Sequence, residues 1–189
     1  MGVASGTVPG EAAVPTSADH AAAAPSPWVE RFASLVPRGA PVLDLAAGGG
    51  RHARFFRDRG HAVTAVDRDV SALALVDGIE VVAADLEGEG GWPLPGRRFG
   101  GIVVVRYLHR PLLPLLAAHL APGGALLYET FARGHERFGR PRNPAFLLER
   151  GELLVFARAA GLGLVAWQHA EEPPPRPAVV QRLAAVRPV

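Results

Sequence analysis

Apolar residues along this chain come in short blocks, and the spacing within the blocks alternates between that of a strand and that of a helix. Val42-Leu43-Asp44-Leu45 is an apolar strand with one acid inside it, and it runs into Gly48-Gly49-Gly50. A short helix is predicted from about Arg51, then a second apolar strand that closes on Asp67. Val70 to Asp77 predicts a short helix, and Ile79 to Leu86 a third strand. Glu87 to Gly100 is rich in Gly and Pro, carries Trp92 and predicts a loop. Gly101 to His109 is a continuous β-branched run, the mark of a parallel strand covered on both faces. A leucine-rich helix is expected over Arg110 to Leu120 despite Pro111 and Pro114, and a fifth strand from Ala121 to near Thr130. Phe131 to Arg150 is polar and has neither strand nor long-helix periodicity, so it reads as a substrate loop. Gly151 to Ala160 predicts a helix, with strands over Leu162 to Gln168 and Ala178 to Val186 separated by the proline run at 173 to 177.

Upstream, Ser26-Pro27 supplies an N-cap with proline at the first helical position, and Trp28, Val29, Phe32, Leu35 and Val36 follow at helical spacing until Pro37. Residues 1 to 25 hold few large apolar groups among Ala, Pro, Gly, Ser and Thr, a composition that cannot repay ordering. The expectation is a flexible tail over 1–25 and one domain over 26–189. Strands alternating with helices predict an α/β fold: a doubly wound, seven-stranded, mostly parallel sheet with helices on both faces and a C-terminal antiparallel hairpin.

The opening strand-turn-helix-strand unit has the layout of a nucleotide site. Three successive glycines remove the Cβ atoms that would hold a ligand off the backbone, and the following helix start points free N–H groups at the gap. Asp67 is placed to accept from the two hydroxyls of a ribose. Gly48-x-Gly50-x-x-Ala53 also satisfies the dinucleotide pattern, which is a weak signal alone. Asp44 within the first strand points away from dinucleotides, whose strand is usually apolar up to the turn.

Val42-Leu43-Asp44-Leu45-Ala46-Ala47-Gly48-Gly49-Gly50 resembles the first motif of class I S-adenosylmethionine (SAM)-dependent methyltransferases, with Ala46 in place of that motif's first glycine. The resemblance covers nearly all of the chain after residue 27. Asp85, in Ile79-Glu80-Val81-Val82-Ala83-Ala84-Asp85-Leu86, stands where the family's adenine-recognising acid sits. Gly101 to His109 is similar to its fourth strand, and Ala121-Pro122-Gly123-Gly124-Ala125-Leu126-Leu127-Tyr128-Glu129 to its P-G-G turn and fifth strand. The GRH helix start and compact size look most like the small methyltransferases related to tellurite-resistance enzymes.

This resemblance implies SAM as cofactor, held by Asp44, Ala46, Gly48, Gly50, Arg51, Asp67, Arg68, Asp85, Leu86 and Arg106: glycine backbone on the methionine part, Asp67 on ribose, Asp85 on the adenine amino group, and the Leu86 amide on a ring nitrogen. For Asp67 and Asp85 the alternative is a capping role in the turns that follow. Tyr107, His109 and Glu129 are the catalytic candidates, His109 because a histidine titrates near neutrality and Glu129 because a carboxylate suits the sulfonium. Helix capping by His109 and salt-bridging by Glu129 are the alternatives. Phe131, His135, Arg137, Phe138 and Arg140 are the substrate-side candidates, similar to a stretch in small bacterial methyltransferases. Arginines in that loop suggest an anionic acceptor through bidentate contacts, set against a solvated loop of biased composition.

Composition narrows the acceptor. All 20 basic residues among 189 are arginine, which excludes lysine chemistry, and coding bias toward Ala, Gly, Pro and Val accounts for it as readily as anion recognition. A formal net charge of +2 is too small an excess to indicate DNA binding. Arg106-Tyr107-Leu108-His109-Arg110 lacks the N/D-P-P-Y/F-like sequence of enzymes that methylate exocyclic base nitrogens, and absence of cysteine removes a thiolate nucleophile. His52 and His135 lack metal-ligand spacing. No apolar stretch is long enough for a membrane span, so a cytoplasmic location is expected. The reading is a SAM-dependent methyltransferase acting on a small molecule. A non-catalytic SAM- or nucleotide-binding module is the alternative. RNA stays open as an acceptor, because small domains can use surface arginines for phosphate contacts, and the sequence sets no oligomeric state.

Overall fold

The computed structural model describes residues 24–189, so the tail expected over 1–25 lies, up to residue 23, outside the described residues. Seven strands form one sheet: β1 (Val42–Leu45), β2 (Val63–Asp67), β3 (Glu80–Ala83), β4 (Phe99–Val105), β5 (Leu120–Phe131), β6 (Gly163–Glu172) and β7 (Ala178–Val186). Their spatial order is β3-β2-β1-β4-β5-β7-β6. Pairing is parallel from β3 through β5 and antiparallel for β5 with β7 and β7 with β6, as expected of the doubly wound sheet with its closing hairpin. The order reverses between β2-β1 and β1-β4. In open α/β sheets, such a switch point opens a crevice at the carboxyl ends of the strands.

Helices cover both faces. On one, α1 (Pro27–Phe32) and α2 (Arg51–Arg57) bury Trp28, Val29, Phe55 and Phe56 against Val42, Val103, Leu127 and Ala184. On the other, α3 (Leu113–His119) and α4 (Glu152–Ala159) bury Leu113, Leu116, Leu153 and Ala157 against Leu43, Ile102, Leu126 and Leu183. Every residue of β4 is buried, because alternate side chains face the two helical layers. Each fully buried Phe or Leu of this kind stabilises the fold by roughly 1.5–3 kcal/mol. The α1 entry is as the sequence predicts: the Ser26 Oγ accepts from the Trp28 N–H at 3.2 Å, with proline at the first turn.

Departures from expectation are local and have local causes. The helix predicted over 70–77 shrinks to a 3₁₀ turn at Leu73–Leu75. Asp69 takes the Ser71 N–H at 3.0 Å into a turn, and of the two leucines only Leu73 is buried while Leu75 is exposed, too little packing for so short a helix to nucleate. The third strand is likewise shorter than predicted. The fourth ends at Val105 instead of His109, because Arg106 takes φ 62° and leaves the extended region. The helix predicted from Arg110 opens as a 3₁₀ turn, Arg110–Leu112, before α3. The sixth strand runs on to Glu172, four residues past the predicted end, along its antiparallel partner β7. None of the described helices is long and apolar enough to cross a membrane.

Candidate active site

Two non-glycine residues among those described have positive φ, Ala46 at 55° and Arg106 at 62°. They follow the neighbouring strands β1 and β4 on the two sides of the switch point. Such outliers persist where surrounding structure enforces them, and they cluster at binding sites. At Ala46 the left-handed backbone costs about 1 kcal/mol, a cost that glycine would not carry. Ala46→Gly is therefore expected to raise Tm by a few degrees, since the gain exceeds the loss of chain entropy at a positive-φ position. A melting scan checks this, and a lower Tm would show that the Ala46 methyl packs more than it strains. Gly50 is different: at φ 74° an added Cβ would come 2.7 Å from Leu73 Cδ2, so only glycine fits.

Ala46, Asp67, Arg68, Asp85, Leu86 and Tyr107 together line a cleft of about 270 Å³. Five of these are the residues assigned to the cofactor by sequence. The sixth, Tyr107, was named as a catalytic candidate. Ala84 and Glu87 complete it, and the sequence had singled out neither. A larger hollow of about 570 Å³ lies at the opposite end of the sheet between α3 and α4, and its lining of Pro114, Ala117, Phe156 and Leu162 offers little chemistry. Of these two, the smaller is the one lined by carboxylates.

Asp67 braces the glycine turn. Its Oδ2 accepts from the Gly48 N–H at 2.7 Å, and its Oδ1 accepts from the Asp69 N–H at 3.0 Å. Asp85 forms the matching turn, Oδ1 accepting from the Glu87 N–H at 3.0 Å. Capping and ligand binding do not exclude each other here, because each carboxylate oxygen has a second lone pair. Asp44 is buried beneath the turn, with Oδ2 accepting from the Ala53 N–H at 2.9 Å. Burial pushes its pKa up to about 8, against the opposing pull of the Ala53 N–H and the Arg51 charge.

Beyond the cleft, toward β5, the candidates fall into a charge network. Glu129 is buried, and its Oε2 accepts from Arg182 Nε at 2.7 Å and from the Ser26 hydroxyl at 2.9 Å. Arg106 Nε lies 3.8 Å from Glu129 Oε1, and its Nη2 lies 3.4 Å from Glu172, which also pairs with Arg182. The Arg106 guanidinium sits over the Phe131 ring at 4.4 Å and is not among the residues that line the 270 Å³ cleft. Ser26 N–H donates to His52 Nε2 at 3.1 Å, and Arg51 donates to the Ala24 carbonyl at 3.3 Å. His52 must be neutral to accept that bond. Burial, then the Arg51 charge, lowers its pKa to about 3. Ser26, His52 and Arg182 had no place in the sequence reading of the site, since their contacts join residues far apart in the chain.

The loop after β5 is more ordered than a simple connector. His135 is buried and stacks on Phe131 with ring centroids 3.9 Å apart, and its Nε2 donates to the Arg140 carbonyl at 3.0 Å. Arg110, straight after His109, donates to the Ala145 and Leu147 carbonyls at 2.6 and 2.9 Å and to Glu152 at 2.7 Å, pinning the far half of the loop. His109 is partly buried at the N-cap position of the 3₁₀ turn but makes no side-chain cap bond there. Arg137 and Phe138 are exposed, Arg137 paired with Glu171 and lying over Phe138 at 4.6 Å, and Arg140 is exposed as well. The structure thus gathers Arg106, Glu129, Phe131 and His135 and leaves Arg137, Phe138 and Arg140 at the surface.

A switch-point cleft with a glycine turn and acids after β2 and β3 is the layout of a nucleotide-binding α/β domain. The chain belongs to the methyltransferase-domain family, whose model matches residues 18–169. The fold is that of class I SAM-dependent methyltransferases. TehB from Haemophilus influenzae superposes with a TM-score of 0.68 at 16% identity, over 85% of this chain and 61% of TehB. The Burkholderia thailandensis 1,6-didemethyltoxoflavin-N1-methyltransferase, solved with 1,6-didemethyltoxoflavin and S-adenosylhomocysteine, gives 0.63 at 24% identity over 86% of this chain and 77% of its own. The [4+2]-cyclase SpnF gives 0.62 at 16% identity over 86% and 78%. A comparison with curated proteins found no match.

Proposed function

We propose that residues 26–189 act as one domain that transfers the methyl group of SAM to a small-molecule acceptor held between the 270 Å³ cleft and the loop after β5. The observation that carries this reading is the cleft itself, where Asp67, Asp85 and the glycine turn meet. SAM supplies an electrophilic methyl on a sulfonium, so the protein's task is alignment. Asp67 and Asp85 offer acceptors to ribose hydroxyls and the adenine amino group, while Gly48 to Gly50 let the backbone approach the methionine part. Arg106, Phe131 and His135 form the wall against which the acceptor is oriented. His109 is the candidate base for an acceptor that must lose a proton. Arg137 and Arg140, at the rim, would meet an anionic group of the acceptor.

Calorimetry with SAM, S-adenosylhomocysteine and NAD tests the assignment. Binding of the first two and not the third is expected, and the reverse would overturn it. Asp67→Ala should weaken SAM binding by about 1.5–3 kcal/mol by removing charge-assisted hydrogen bonds. Unchanged affinity would leave Asp67 as a brace of the glycine turn alone. A screen for demethylated-cofactor production across thiols, phenols, carboxylates, amines and tRNA then separates an enzyme from a binding module.

A further inference from the structure

A third hollow, of about 450 Å³, lies between α1 and the edge strand β6 and shares no lining residue with the 270 Å³ cleft. Small residues leave it open. Ala166 lines it, and the cross-strand partner of Ala166 on the face that α1 covers is Ala184, so two neighbouring positions of the sheet offer no side chain to fill the gap. Trp28 and Phe32 form the wall on the α1 side, with ring centroids 4.6 Å apart.

On the sheet side stand Gln168, Glu172 and Arg182, and their charges satisfy one another. Arg182 pairs with Glu172 and, at 2.7 Å, with Glu129, and its Nη1 donates to Gln168 Oε1 at 2.9 Å. Glu172, the one acid of the lining, also faces Arg106 at 3.4 Å, so a cationic ligand finds no free partner there. What remains available is all donor. Neither the Arg31 guanidinium, which lies over the Phe32 ring at 5.2 Å, nor the Gln168 amide nitrogen has a hydrogen bond or ion pair among the described residues. Both residues are exposed and both line the hollow. A guanidinium and an amide N–H₂ are donors that suit a carboxylate.

We propose that this hollow is a binding site for an aromatic carboxylic acid, whose ring lies against Trp28 and Phe32 over Ala166 and whose carboxylate meets Arg31 and the Gln168 amide. Its volume, its aromatic wall and its few orienting polar groups are those of a small-molecule site. The site adjoins Glu129 through Arg182, but it does not depend on the SAM reading, because the two linings have no residue in common.

Calorimetry of the full chain with 1-naphthoate, 1-naphthamide and 1-naphthylmethylammonium tests the site. The acid should bind with a submillimolar Kd, the amide about three- to fivefold more weakly, as an exposed ion pair allows, and the ammonium not at all. Arg31→Gln, at an exposed position, should keep the wild-type Tm and erase the difference between acid and amide. Ala166→Leu places a side chain in the hollow and should abolish naphthoate binding; if that variant does not fold, Arg31→Gln still decides. No binding of naphthoate, equal binding of acid and amide by wild type, or full naphthoate binding by a folded Ala166→Leu variant overturns the proposal. So does competition between naphthoate and S-adenosylhomocysteine. A chain that binds naphthoate and no S-adenosylhomocysteine keeps this site and loses the SAM reading, so the two fail separately.

Discussion

Glu129→Ala is expected to destabilise the protein by about 2–4 kcal/mol, a loss of roughly 5–15 °C in Tm for a domain of this size. Glu129 and Arg182 keep 4% and 12% of their side-chain surface, so removing the carboxylate strands a guanidinium with little access to water. It also frees the Ser26 hydroxyl, which links the segment before α1 to the end of β5. The loss stays below the largest seen for buried pairs because Arg182 retains Glu172 and the Gln168 side-chain Oε1 at 2.9 Å. Glu129→Gln keeps an acceptor and should lose about half as much. A Glu129→Leu, Arg182→Met double variant should recover most of the stability, since an apolar pair carries no desolvation penalty. Thermal denaturation of the four proteins checks the series, and a Glu129→Ala variant within 2 °C of wild type would show that the network holds nothing in place.

The same series bears on catalysis. Glu129 was proposed to face the sulfonium, and the structure surrounds it with two guanidiniums and a hydroxyl. Those donors occupy its oxygens. Its remaining contribution near the cofactor is electrostatic, so Glu129→Gln should change SAM affinity more than that of uncharged S-adenosylhomocysteine if the sulfonium lies beside it.

What the sequence made legible was whatever is local or periodic. The strands and their alternation with helices follow from apolar blocks of the right length; Asp67 is found because it closes its own strand, and Asp85 through the family resemblance of the segment around it. Ser26 was visible as an N-cap, a contact two residues away, but its bond to Glu129 spans 103 positions and leaves no pattern in the chain. Arg182 was hidden for the same reason, being one of 20 arginines with nothing nearby to mark it. Tyr107 was a catalytic candidate as one of the residues, Arg106 to Arg110, that follow the fourth strand. The φ of Arg106, a conformation no propensity predicts for arginine, ended the strand early, and Tyr107 lines the same cleft as Asp67 and Asp85.

Asp44 should make both stability and cofactor affinity depend on pH. Its pKa is about 8 in the fold against 3.8 as the reference value, so between those limits the native state binds the proton more tightly than the unfolded chain. Stability contributed by this site is therefore greatest at low pH, falls as pH rises through the window, and levels off above about 8, with a slope of at most ~1.4 kcal/mol per unit. Asp44→Asn removes the slope and can keep the Ala53 N–H bond, so its Tm should exceed that of wild type by a margin that grows from pH 5 to about pH 8 and then holds. SAM acts in the opposite sense. A cationic ligand near Asp44 favours the carboxylate, as the neighbouring Arg51 and Arg54 charges already do, against burial and the Asp67 charge. Binding at pH 7 should then release close to one proton, and SAM affinity should rise up to tenfold per unit from pH 6 to pH 8. Asp44→Asn should bind SAM more weakly and with no such dependence. Calorimetry at pH 7 in two buffers of different ionisation enthalpy counts the proton directly. A heat of binding independent of buffer would show that Asp44 stays protonated beside the cofactor, and would leave its hydrogen bond to Ala53 as its whole contribution.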